Sequence, residues 1–142
     1  MQTDVIHTLY KRNFMGGGSE NLLSASSTSV IVGGDENDIR RSEGTNILGG
    51  ESNQIMWTIN SSIVGGKSNR IFPKYPAGTT SERAIQSFIG GGESNQISGG
   101  TTSSIVGGKT NQIYNQVYSH IGGGKENRIT GYGINPSANV IA

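Results

Sequence analysis

Isoleucine or a close apolar stand-in returns along this chain every eight residues. The series runs Met15, Leu23, Ile31, Ile39, Ile47, Ile55, Ile63 and Ile71, then resumes after an interruption at Ile89, Ile97, Ile105, Ile113, Ile121 and Ile129. Polar residues and glycine fill most of the space between. Eight is not a helical period, and the Gly-Gly pairs that recur between the isoleucines would break a helix. Two short strands per sixteen residues, joined by tight bends, satisfy the beat. Such turns stack at the sheet spacing of about 4.8 Å, so like residues fall into ladders and seven turns make a rod about 35 Å long. The pattern predicts an all-β chain, a parallel β-solenoid or β-roll of sixteen-residue turns. Both isoleucines of each turn (Ile31 with Ile39, Ile47 with Ile55, Ile63 with Ile71, Ile89 with Ile97, Ile105 with Ile113, Ile121 with Ile129) form the core of the coil.

A second series keeps the same step. Asn21, Asn37, Asn53, Asn69, Asn95, Asn111 and Asn127 each close a phrase that begins with an apolar residue and Gly-Gly, as in Ile63-Val64-Gly65-Gly66-Lys67-Ser68-Asn69-Arg70-Ile71. The glycines supply the positive φ of a tight bend, and asparagine tolerates the left-handed region while bonding neighbouring backbone. Stacked asparagines can also pair with the copies above and below, making a structural ladder. Hydroxyl residues precede one isoleucine of each turn by two positions: Ser29, Thr45, Ser61, Ser87, Ser103 and Ser119. On the exposed bend, Glu51, Lys67, Glu93 and Lys109 alternate in sign, which gives weak attraction between adjacent turns.

The step is broken once, between Asn69 and Asn95. Two of the three prolines, Pro73 and Pro76, stand in that interval, and proline cannot donate to a ladder. The expected organisation is therefore a cap or tail at 1–12, a repeat domain at 13–129 with an inserted loop at 72–81, and a further cap or broken-off repeat at 130–142. The last segment restarts the pattern at Ser137-Ala138-Asn139-Val140-Ile141.

Two isoleucines per sixteen residues make a thin core. Next to the first of them stand Val32, Leu48, Val64 and Val106, with Gly16, Gly90 and Gly122 in the remaining copies. Neighbours on a strand point to opposite faces, so this row faces outward when isoleucine faces inward. An outward apolar stripe along a rod asks for a partner. The expected partner is the chain itself, as a parallel homotrimer with that row at the interface, intertwined or side by side.

At Ser29-Val30-Ile31-Val32-Gly33 and its counterparts, over about residues 13–129, the chain resembles the heads of trimeric autotransporter adhesins. Those heads are left-handed parallel β-rolls with a Ser-x-Ala-Ile-Gly type of phrase and an apolar trimer axis. This repeat is slightly longer, has Ile where that family often has Ala, and shows no coiled-coil stalk or membrane anchor. Related rolls occur in fibres of phages and large viruses. The resemblance implies a non-catalytic structural or attachment role at a virion, cell or extracellular surface, with a host receptor or glycan as the outside partner.

Composition narrows the alternatives. Gly 23 of 142 residues and 6% aromatics are unlike a compact globule, yet a disordered tract would not hold isoleucine in register. The net charge of +1 gives no footprint for nucleic acid, and no apolar run spans a membrane. No signal peptide stands at Met1-Gln2-Thr3-Asp4-Val5-Ile6. With no cysteine, thiolate metal sites are ruled out. A calcium site would draw on Asp35, Glu36, Asp38 and Glu51, but lysine replaces Asp35 in later turns, so no cofactor is expected. His120 beside Ser119 is expected on the opposite strand face, so it makes no catalytic pair. Ice binding would want a regular threonine row, and a polysaccharide-degrading solenoid would want clustered carboxylates. Neither pattern is present. The aromatics Trp57, Tyr75, Tyr114, Tyr118 and Tyr132 lie between phrases, where they suit packing or a sugar ring.

Overall fold

The computed structural model describes residues 4–7, 12–74, 84–131 and 138–142. Among these the chain is all strand and bend, wound as a parallel β-solenoid of about seven turns. One eight-stranded sheet is made by Val5–His7, Leu22–Ser24, Asp38–Arg40, Gln54–Met56, Arg70–Phe72, Gln96–Ser98, Gln112–Tyr114 and Arg128–Thr130. The other is made by Phe14–Met15, Val30–Ile31, Asn46–Ile47, Ser62–Ile63, Phe88–Ile89, Ser104–Ile105, His120–Ile121 and Val140–Ile141. Every pairing is parallel and joins like to like, such as Ile39 with Ile55 in the first sheet and Ile47 with Ile63 in the second.

The interior follows from that register. Leu23, Ile31, Ile39, Ile47, Ile55, Ile63, Ile71, Ile89, Ile97, Ile105 and Ile121 are fully buried between the sheets, and Ile113 and Ile129 nearly so. Parallel ladders serve the strand amides, but the bends leave amides without a sheet partner. Small polar side chains meet that need from inside. Ser29, Thr45, Ser61, Ser87, Ser103 and Ser119 are all buried. A further inward column, Ser26, Ser42, Thr58, Ala84, Gly100 and Gln116, escaped the sequence reading because its residue types vary so widely. Within it the Ser42 amide donates to Ser26 Oγ at 3.1 Å, and the Thr58 amide to Ser42 Oγ at 3.2 Å. The hydroxyl column ends there: Ala84 follows Thr58, and Thr58 Oγ1 is buried with no partner among the described residues.

The long step leaves the stack undisturbed. Ile71 pairs with Ile55 on one side and Ile97 on the other, and Ala84–Ile85 resumes on Thr58–Ile59. Most of the expected inserted loop, 75–81, lies outside the described residues. Within 1–12, Val5–His7 supplies the first strand of the first sheet. At the other end Val140–Ile141, in the restart, closes the second sheet against His120–Ile121.

Candidate functional site

The Gly-Gly-x-x-Asn corner is the most repeated local structure, and its geometry explains both residue types. The side chain of each buried asparagine ties its own turn to the next. Asn53 Oδ1 accepts the Asn69 amide at 3.0 Å, while Asn53 Nδ2 donates to the carbonyls of Gly49 at 3.1 Å and Gly66 at 2.9 Å. Only an amide supplies an acceptor and two donors at once, so aspartate could not do this work in mid-ladder. At the start aspartate does appear: Asp4 Oδ1 accepts the Asn21 amide at 3.0 Å. The asparagines do bond to their neighbours in the stack, but chiefly side chain to backbone. Direct contacts, as from Asn69 Nδ2 to Asn53 Oδ1 at 3.2 Å, are secondary.

The two glycines of the pair differ. The second is obligatory: Gly50 has φ +91, and a Cβ there would lie 2.2 Å from the Gly66 carbonyl oxygen. The first is not. At Gly49, Gly65, Gly107 and Gly123 a Cβ would meet nothing within 4 Å, and no left-handed φ demands glycine there. The chain repeats these glycines without an internal reason for them.

This unexplained column borders the outer face of the second sheet. Val32, Leu48, Val64 and Val106 stand there 47%, 48%, 42% and 51% exposed, as the alternation predicts. The residues two positions earlier share the face, and sequence reading missed them. Where the row holds valine or leucine the earlier residue is Val30, Asn46, Ser62 or Ser104. Where it holds glycine the earlier residue is Phe14, Phe88 or His120. In the two phenylalanine turns a ring carbon lies 3.3–3.4 Å from the Cβ position of Gly16 or Gly90, so the ring covers the missing side chain. Those two glycines are themselves forced, for a Cβ would sit 2.3 Å from the carbonyl of Val32 or Val106. The exchange was visible once the chain was written in rows of sixteen. It keeps the side-chain bulk of the face nearly level, and no Asp, Glu, Lys or Arg stands in either column.

The other candidates are dispersed. Lys67 Nζ meets Glu51 at 2.7 Å and Lys109 Nζ meets Glu93 at 2.9 Å, so the alternating bend charges do pair. The hydrogen bond and charge of Glu51 raise the Lys67 pKa above its ordinary value. This clasp is present at neutral pH and is lost as pH rises through that raised pKa, and its exposure to solvent keeps it weak. Asp38 is engaged by Arg40 at 2.9 Å and Gln54 at 3.3 Å. Among the described residues, no three of His, Cys, Asp and Glu gather where they could hold a metal ion. His120 Nδ1 lies 2.7 Å from Ser104 Oγ, one turn away, and Ser119 is buried on the other side of the strand.

Neither the known family models nor the curated proteins give a match to this sequence.

Proposed function

We propose that this chain is a non-catalytic structural or attachment module that works as a parallel homotrimer. It would form a β-roll of a surface appendage or virion fibre, similar to trimeric autotransporter adhesin heads and able to contact a host surface or glycan. One observation carries the reading: the level, uncharged outer face of the second sheet, with its border of glycines that a single chain does not need. A rod whose partner repeats at the same spacing needs a face of constant profile. Eight strands at about 4.8 Å give a strip about 38 Å long. Backbones meeting along such a strip would explain the bare glycines, because close approach is what a missing Cβ permits.

Paired substitutions test this. Val64→Asp introduces a charge where the isolated chain would leave it in water, so it should dissociate the assembly while the monomer tolerates it. Gly65→Ala should weaken association at least tenfold, about 1.4 kcal/mol. Association unchanged in both variants would refute the shared face.

A further inference from the structure

The opposite side of the coil, the outer face of the first sheet, carries charge and aromatic residues together. There Arg40, Arg41, Leu22, Met56, Trp57 and His7 line an open groove of about 480 Å³. Arg41 and Trp57 occupy the same bend one turn apart, both left-handed at φ 51 and φ 55. That places the Arg41 guanidinium carbon 4.9 Å from the indole centroid. Arg40 is fixed differently, through its Nε to the Asp38 carboxylate at 2.9 Å, which leaves its terminal amino groups free of that bond. Among the described residues, neither Asp38 nor any other carboxylate lines the groove. Two guanidiniums, one held through its Nε by Asp38 and one stacked on the Trp57 ring, therefore line the groove together with Leu22 and Met56.

We propose that this groove binds an acidic sugar unit of a polysaccharide. The guanidiniums would take a carboxylate or sulfate through charge-assisted pairs, and the apolar floor would take the C–H face of the ring. The volume lies within the range of ligand sites, and the open form suits a chain running across it more than an enclosed metabolite. The inference rests on the attachment reading above. In a trimer packed through the second sheet, the first sheet faces outward and the groove is presented three times, which favours a repeating polyanion over a single small anion.

Calorimetric titration with three hexasaccharides, one uronate, one sulfated and one neutral, distinguishes the possible sources of the acid. Binding of either acidic probe, absent for the neutral one and at least tenfold weaker in Arg41→Gln, is the expected result. Partial recovery in Arg41→Lys is expected as well. Arg41→Gln leaves the Arg40–Asp38 pair intact, and circular dichroism confirms that the variant is folded. The idea is overturned if neither acidic probe binds, if Arg41→Gln binds undiminished, or if a single-stranded oligonucleotide binds as well as the acidic sugars. Light scattering on the same samples separates this proposal from the assembly. A trimer that ignores acidic sugars loses only the groove, whereas a monomer that binds them loses only the trimer.

Discussion

A single asparagine in this chain serves as a rivet rather than a surface polar residue. Asn69 is fully buried, accepts the Asn95 amide and donates to the carbonyls of Gly65 and Gly92. Asn69→Leu would strand the Asn95 amide and the Gly65 carbonyl, while the Gly92 carbonyl keeps the Lys67 amide, so chemical unfolding should report a loss of about 3 kcal/mol. Thr58 gives the opposite sign. Its Oγ1 is buried and unbonded, so Thr58→Val should hold or raise stability by about 1 kcal/mol, read in the same unfolding assay. The asparagines were legible because residue type and spacing coincide. Asp4 was not, because it stands seventeen residues from Asn21 and is a different residue. The left-handed bends were hidden for a related reason. Arg41, Trp57, Thr102 and Tyr118 all adopt positive φ, yet none is a residue type that announces a bend.

At the level of strands and turns, the eight-residue beat carried most of the information. It predicted two parallel strands per turn and placed isoleucine inside and valine outside. The polar interior columns were less visible, since Ser26, Thr58, Ala84 and Gln116 share a position without sharing a chemistry. The break after Phe72 shows how the element tolerates change. Arg70–Phe72 keeps register with Gln96–Ser98, and the Gly99 amide still reaches the Phe72 carbonyl at 2.9 Å. Removing Pro73–Glu82 restores the sixteen-residue step and puts Arg83 in the bend position of Arg41 and Trp57. That deletion should give an unchanged circular dichroism spectrum and the same particle mass. Loss of the folded signal would assign a structural duty to the interval.

For the whole molecule, the two outer faces differ in chemistry. The first sheet displays Arg40, Arg70 and Arg128 and holds the groove, whereas the second displays valine, leucine and phenylalanine beside bare glycine. The sequence revealed the valine row but not its completion by Phe14 and Phe88, which needs the turns to be laid side by side. Nor did it reveal the groove, because Arg41 and Trp57 meet only through the stack. An uncharged strip of this length, with valine, leucine and phenylalanine exposed along it, is costly to leave in water. Static light scattering of the intact chain at micromolar concentration measures directly whether copies cover it. A particle of three times the 14.9 kDa chain mass is the predicted result. A stable particle of 14.9 kDa would contradict it.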